Sequence, residues 1–164
     1  MRTRVIKAVT GGIAVVMVGT MFVIPAWAVE TKTGGNICDN LTTAWTARES
    51  AYSRAKTIRT TAFSKTNTRW MTLFDKLDAK GISTTTVRAD ATSAAGMFNN
   101  LLAADDGVIA AMKAYATASC AKTGVDQARK DLKTAQDNRK LSRQAYVKAL
   151  RLLATDLAKL RSTK

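Results

Sequence analysis

Residues 70–83 read Trp70-Met71-Thr72-Leu73-Phe74-Asp75-Lys76-Leu77-Asp78-Ala79-Lys80-Gly81-Ile82-Ser83, and this stretch decides the fold. Apolar side chains recur at helical spacing as far as Leu77, so a long helix is expected to end here. Gly81 can supply the left-handed residue that closes a helix, and Ser83 is a favourable residue to cap the next one. The stretch therefore predicts a tight reversal between two helices.

Apolar residues continue with helical periodicity on both sides of this reversal. The pattern predicts helix 1 over about 39–80, helix 2 over about 84–120 and, after a second reversal at 122–124, helix 3 over about 125–161. Helix 2 carries two lines of residues spaced by seven, which is a heptad pattern. The first line is Val87, Ala94, Leu101, Val108 and Tyr115, and the second is Ala91, Phe98, Asp105 and Met112.

These elements predict an all-α fold of three long antiparallel helices, a helical hairpin plus a third helix in a coiled-coil-like bundle. The bundle is expected to form one domain over residues 38–164, after a short flexible lead over residues 29–37. Two-helix arms that self-associate are the alternative architecture. Gly96 and Gly107 either weaken helix 2 locally or allow close approach of a neighbouring helix.

The first 28 residues have the composition of a secretory signal peptide. An apolar run over residues 9–24 ends at Pro25, and the sequence Ala26-Trp27-Ala28 fits the cleavage rule for signal peptides, so residues 1–28 are expected to be removed. The alternative is an uncleaved anchor over residues 8–28, which could span a bilayer. Either way the chain is expected in the periplasm, at the cell surface or outside the cell. The basic start of the signal is formed by Arg2, Arg4 and Lys7.

The chain has two cysteines, Cys38 before helix 1 and Cys120 at the end of helix 2. They lie 43 and 39 residues from Gly81 on opposite sides, so a hairpin that turns at Gly81 brings them to the same end. Exported chains also fold where disulfides persist. We therefore predict a disulfide between the two cysteines. A catalytic dithiol or a metal pair is the alternative, disfavoured because there is no Cys-x-x-Cys motif and no His.

Four charged residues converge at mid-height of the expected bundle. Folding at the first reversal brings Arg59 within a turn of Asp105, and folding at the second brings Arg139 level with Asp106. These side chains either reach outward and pair loosely at the surface, or form a buried polar layer that fixes the register. Three thin helices enclose little dry interior, which favours the surface arrangement.

Positive charge is concentrated in the last helix. The chain has 26 basic and 12 acidic residues, a net charge of +14, which becomes +11 once residues 1–28 are removed. Residues 125–164 have a net charge of +7, whereas residues 82–120 have −1. One face of helix 3 is expected to present six cations uninterrupted by an acid, and we call this set the basic strip: Arg129, Lys133, Lys140, Arg143, Arg151 and Arg161.

The basic strip has two interpretations. It is either a solvated flank whose long side-chain stems cover the core seam, or a surface that binds an anionic envelope polymer or anionic lipid headgroups. A net charge of +11 is high for so small a domain and keeps the second interpretation open. Specific nucleic-acid recognition is not expected, because Tyr146 is the only aromatic residue of helix 3 and falls on its core line.

No residue pattern of an enzyme is present. The chain has no His, so the commonest general base is missing, and its carboxylates are scattered. Asp75 and Asp78 come nearest to a carboxylate pair, but they lie beside lysines and are expected to be exposed. Neither a glycine-rich phosphate loop nor a metal-ligand cluster occurs. We therefore predict a protein that is not an enzyme and binds no cofactor and no metal.

The first reversal also carries a resemblance to known proteins. Residues 69–84 read Arg-Trp-x-x-Leu-x-x-Lys-Leu-x-x-Lys-Gly-Ile-Ser-Thr, between two cysteines and before a basic third helix. In this order of features the chain resembles uncharacterised exported three-helix proteins of candidate-phyla bacteria. This resemblance implies no particular activity. The chain is more weakly similar to the Skp-type periplasmic chaperones, which are basic and have long helical arms. The second resemblance implies unfolded client proteins as partners.

Three functions follow from these observations. The first is an exported, non-enzymatic envelope protein that binds an anionic surface or partner through helix 3. The second is a holdase-type chaperone that shelters unfolded exported proteins between its helices, and the third is a structural spacer with no ligand. The charge favours the first. An aromatic content of 6% opposes the second, because a holdase needs exposed apolar surface.

Overall fold

A computed structural model describes residues 37–162 as three α-helices: α1, Ile37–Asp78; α2, Thr85–Ala121; and α3, Val125–Ser162. The prediction of an all-α bundle of three long helices is confirmed, and no strand occurs among the residues described. Ile37, expected at the end of the flexible lead, begins α1. The expected signal peptide over residues 1–28 and the rest of the lead lie outside the described residues.

The three helices are not equally spaced. α2 and α3 pack against each other closely along their length, whereas α1 lies further from both. Small residues on α2 explain this difference, because Ala91 and Ala94 are fully buried and let a neighbouring helix approach. The side chains by which α1 enters the core are large: Trp45, Phe63, Trp70 and Phe74.

The larger of two apolar clusters lies towards the first reversal and is centred on aromatic rings from all three helices. Phe63 of α1 stacks on Phe98 of α2 with ring centroids 4.3 Å apart. Tyr146 of α3 completes the group, with its ring centroid 5.5 Å from that of Phe98 and 6.3 Å from that of Phe63. Such offset and edge contacts add to the free energy of burial, so this group joins the helices at one level.

The smaller cluster lies towards the opposite end of the bundle. Trp45 of α1 packs there with Val108 and Met112 of α2, and Leu132 and Ala135 of α3 cover them. Both lines of the heptad pattern predicted for α2 enter the core, and Asp105 is buried at its place in the second line.

α1 contains many threonines, which are weak helix formers because branching at Cβ restricts their side chains. Threonine hydroxyls of α1 donate to the carbonyl oxygen four residues earlier, as from Thr57 to Ser53, from Thr66 to Ala62 and from Thr72 to Thr68. These bonds satisfy the hydroxyls without adding helix stability. Packing of the buried aromatic residues, rather than intrinsic helix propensity, therefore stabilises the length of α1.

The first reversal closes as expected at Gly81, which has a φ of +75°. The N–H of Gly81 donates to the Asp78 carbonyl and the N–H of Ile82 donates to the Leu77 carbonyl, the pair of bonds known as a Schellman motif. The prediction that Ser83 caps α2 is wrong, because Thr84 occupies the cap position. The Thr84 side chain turns away from α2 and its hydroxyl donates to Asp78 Oδ2 over 2.7 Å.

The second reversal uses a non-glycine residue in the left-handed region. Lys122 has a φ of +56° and its N–H donates to the Ala118 carbonyl, which closes α2. Gly96 and Gly107 lie on the exposed side of α2, and a Cβ built on either would meet nothing within 4 Å. Close helix approach at these glycines is therefore excluded among the residues described, and the local weakening of α2 remains.

The predicted disulfide is present between Cys38 and Cys120, whose Cα atoms are 5.5 Å apart. It ties the start of α1 to the last turn of α2 and closes a loop of 82 residues. In the chain-entropy model a loop of this length stabilises the folded state by about 4–5 kcal/mol. With the Schellman turn at the other end, α1 is held at both ends.

Candidate functional site

The basic strip lies on the exposed surface of α3. The five of its residues whose side chains are described are all exposed: Arg129, Lys133, Lys140, Arg143 and Arg151. Arg161 belongs to the last turn of α3, and its side chain lies outside the described residues. α3 is a single unbroken helix, so these cations follow one straight edge of the molecule.

One acid interrupts the strip, contrary to expectation. The carboxylate of Asp137 accepts a hydrogen bond from Lys133 Nζ over 2.9 Å, one turn further along the helix. This bond raises the pKa of Lys133 and lowers that of Asp137. Asp137 lies at the edge of the same face, within reach of a long lysine, so helical periodicity alone does not assign it to the strip. The strip is therefore free of acids only beyond residue 137.

The part of α3 beyond Asp137 concentrates exposed cations. From residue 138 to residue 155 the chain has five basic residues and no acid. Four of the five border a shallow depression whose floor includes Gln144 and Val147: Lys140, Arg143, Lys148 and Arg151. No carboxylate in the described part of the chain forms an ion pair with these four side chains. Lys148 was missed by the sequence analysis, although it lies three residues before Arg151.

The polar layer gathers around Asp105, which is only 2% exposed. Arg59 of α1 donates through Nη1 to Asp105 Oδ2 over 2.8 Å, and Arg139 of α3 donates through Nε to Oδ1 over 2.5 Å. The arginine side chains are 24% and 31% exposed, so each covers the acid while its outer part meets water. The expected surface arrangement is wrong for this group. The long arginine stems supply the cover that three thin helices were expected to lack.

Asp106, the fourth member of the expected layer, belongs to a separate group. Its side chain is 50% exposed and binds Lys56 Nζ at 2.6 Å, and it also accepts a 2.9 Å hydrogen bond from the Tyr52 hydroxyl. Partial burial acts to raise the pKa of Asp106, but the bonds from Lys56 and Tyr52 outweigh it and lower this pKa. Arg139 pairs with Asp105 and not with Asp106, so its partner lies one residue before the one expected from the sequence.

Asp78 forms an interaction at the first reversal that was missed from the sequence. Its carboxylate accepts bonds from the Thr84 N–H and hydroxyl and from the Arg88 guanidinium. These bonds lower the pKa of Asp78, the Thr84 hydroxyl contributing most. Arg88 also donates to Asp75 Oδ1 over 2.6 Å. The two carboxylates are exposed as predicted, but together they bind one arginine, which gives them a structural role.

Asp90 and Asp156 form a second arrangement that the sequence analysis missed. Asp90 of α2 is buried and its Oδ2 atom has no hydrogen-bond partner among the residues described. Burial raises the pKa of Asp90, and the Asp156 carboxyl of α3 raises it further. The neighbouring Lys159 ammonium lowers the pKa of Asp156. The signal was available, since the two acids lie 34 and 32 residues on either side of Gly124.

The chemistry open to these groups is ionic. Within residues 37–162 no three side chains of the Cys, Asp and Glu type come together as a metal-ligand set. In the same range no helix is long and apolar enough to cross a bilayer. The buried acids are committed to arginines or to each other, whereas the exposed cations of α3 are available to bind anions.

The fold and the site together define a small disulfide-linked bundle of three helices with one cationic edge. Comparison of the chain with protein-family models, with curated proteins and with solved structures finds no significant match.

Proposed function

We propose that this chain is an exported, non-enzymatic protein of the cell envelope that binds an anionic surface through α3. The observation that carries the proposal is the group of four exposed cations on the acid-free part of α3: Lys140, Arg143, Lys148 and Arg151. Export is supported by the disulfide, because such bonds persist in oxidising compartments.

The charge arrangement favours binding over a purely solvated flank. Other cations of the bundle, such as Lys56, Arg88 and Lys133, have a carboxylate partner within 3 Å. Among the residues described, the four cations on α3 have no ion pair, a feature they share with Arg54, Lys65 and Arg69 of α1, and in addition they line one depression. A basic residue near an anionic membrane surface contributes roughly 1 kcal/mol, so four of them give an association of about 4 kcal/mol that salt weakens.

A salt titration tests the proposal. The chain over residues 29–164, which contains the whole described bundle and both cysteines, is titrated with polyphosphate and with vesicles of phosphatidylglycerol. We expect the polyphosphate affinity to fall about 50-fold between roughly 50 and 200 mM salt. Charge reversal by Lys140→Glu, Arg143→Glu and Arg151→Glu is expected to reduce binding to both probes by more than about 100-fold.

The matched control reverses three exposed cations of α1 and changes the net charge equally: Arg54→Glu, Lys65→Glu and Arg69→Glu. Equal losses in the two triple variants would assign binding to net charge and contradict a site on α3. If neither probe binds, the proposal is wrong. If an unfolded exported protein binds instead, with little dependence on salt, the chain is a holdase-type chaperone.

A further inference from the structure

Two leucines on α3 have more than half of their surface exposed. Leu141 is 62% exposed and Leu152 is 51% exposed. They lie eleven residues apart, close to three full helical turns, so they project along nearly the same line about 16 Å from each other. Single exposed leucines are ordinary on protein surfaces, but two in one line on a basic segment free of acids need a common explanation.

The cations of α3 accompany both leucines. Lys140 immediately precedes Leu141 and Arg151 immediately precedes Leu152, so a cation–leucine pair repeats after three turns. Lys148 lies two turns beyond Leu141 and therefore falls on the same line between the leucines. Lys140, Leu141, Lys148, Arg151 and Leu152 fall within about a third of the helix circumference, and we call them the cation–leucine face. Arg143, nine residues before Leu152, lies on the other side of α3 and is not part of this face. Asp137 stands one turn before Leu141, outside this segment.

We infer that the cation–leucine face docks on an anionic lipid bilayer, with Leu141 and Leu152 entering the headgroup layer. This inference rests on the proposed function and names the surface that the site binds. A lipid surface is the one anionic partner that offers both phosphates for the cations and an apolar layer for the leucines. A soluble polyanion offers nothing to the leucine side chains.

A second copy of the chain is a poorer occupant of this face. A symmetric contact would place the same patch of both copies together, so the three cations of one copy would face the three cations of the other. Lipid phosphates instead complement the charge, and the long stems of Lys140, Lys148 and Arg151 let their charged ends stay at headgroup level while the leucines go deeper.

The test separates lipid insertion from charge attraction. The double variant Leu141→Ser, Leu152→Ser in the chain over residues 29–164 is compared with the unaltered chain, and circular dichroism first checks that each is helical. On phosphatidylglycerol vesicles we expect the double variant to partition at least about tenfold more weakly, because two apolar side chains no longer leave water. We expect the double variant to bind polyphosphate with the same affinity as the unaltered chain. The matched control is Ile58→Ser on α1, an aliphatic residue that is 69% exposed and is expected to alter neither affinity.

A second measurement reports depth directly. Leu152→Trp places a fluorophore on the cation–leucine face, and lipids brominated on their acyl chains are expected to quench it. Ile58→Trp is the control and is expected to remain unquenched. Equal partitioning of the double serine variant, or no quenching at residue 152, overturns the inference, as does a dimer in sedimentation that the double variant loses. If polyphosphate binds and vesicles do not, the lipid inference fails while the proposed function stands.

Discussion

At the scale of single residues, Asp90 is the group whose ionisation opposes folding. It is buried where α2 meets α3, faced by Asp156 and Lys159, and its pKa is raised first by burial and then by Asp156. The unfolded chain releases this proton at a lower pH than the folded chain does. The folded state therefore binds the extra proton, and stability falls as pH rises from the ordinary range of an aspartic acid through the raised pKa.

Asp90→Asn is expected to remove this pH-dependent penalty. The asparagine is neutral at every pH and its amide can donate to the Asp156 carboxylate, so the variant should have a higher Tm than the unaltered chain at pH 7. Near pH 3, where Asp90 is protonated in both states, the two Tm values should converge. Thermal unfolding followed between about pH 3 and 8 measures the difference.

Asp131→Asn, an exposed change on α3, is the control for Asp90→Asn and should give a difference that varies less with pH. A Tm difference for Asp90→Asn that stays constant across the range would show that Asp90 carries no raised pKa in solution.

At the scale of elements, the weak points of α2 are its two interior glycines. Gly96 and Gly107 are helical, exposed and surrounded by open space where a Cβ would lie. A glycine in a helix interior costs roughly 0.5–1 kcal/mol relative to alanine, because the unfolded chain loses more freedom on folding. Gly96→Ala and Gly107→Ala are therefore each expected to raise the free energy of unfolding by about that amount, as measured by denaturant titration.

A glycine-to-alanine substitution at the first reversal should lower the free energy of unfolding instead of raising it. Gly81 has a φ of +75°, where a side chain is strained, so Gly81→Ala is expected to lower the free energy of unfolding by about 1–2 kcal/mol. If Gly96→Ala or Gly107→Ala destabilised the chain by a similar amount, the exposed side of α2 would have to be covered in solution.

The elements were largely predictable because periodicity and turn residues report local geometry. Gly81 and the second reversal predicted where the three helices begin and end. The distances of the two cysteines from Gly81 were consistent with a hairpin that turns there. The cap of α2 was not predictable in the same way. Ser83 and Thr84 are both acceptable cap residues, and the choice depends on how Asp78 and Arg88 meet across the turn, which requires the relative orientation of two helices.

The same limit applies to the candidate site. Periodicity predicted that the cations of α3 share an exposed face, but not that Asp137 would bind Lys133 or that Leu141 and Leu152 would lie uncovered among them. Whether an apolar residue of a long helix is buried depends on which residues of the other helices pack against it. The closeness of α2 and the distance of α1 decide what part of α3 remains open.

At the scale of the whole molecule, Asp105 is the point where the three helices are linked by polar contacts. It lies between the two apolar clusters and binds Arg59 of α1 and Arg139 of α3. A shift of α1 by one turn, about 5.4 Å, would move Arg59 away from Asp105 and towards apolar side chains. The layer therefore penalises shifted registers, a role that buried polar residues have in coiled coils.

The heptad pattern had already placed Asp105 on a core line, but its depth depended on cover from other helices. Sequence spacing gives the height of a residue along the bundle and says little about how far two long side chains reach around it. Arg59 binds one oxygen of the Asp105 carboxylate and Arg139 binds the other, and this made the surface arrangement wrong for Asp105 while Asp106 stayed half exposed.

Substitution of the adjacent acids Asp105 and Asp106 tests whether the buried polar layer stabilises the fold. Asp105→Ala leaves two arginines against a buried gap with no acid, and breaking a buried pair costs about 3–5 kcal/mol. We expect about 3 kcal/mol, because both arginines keep part of their side chains in water, and a correspondingly lower Tm. Asp106→Ala removes the exposed contacts to Lys56 and Tyr52 and should cost about 1 kcal/mol or less. Denaturant titration of both variants gives the comparison. Equal losses, or no loss for Asp105→Ala, would mean that water solvates Asp105 and that the aromatic contacts alone hold the register of α1.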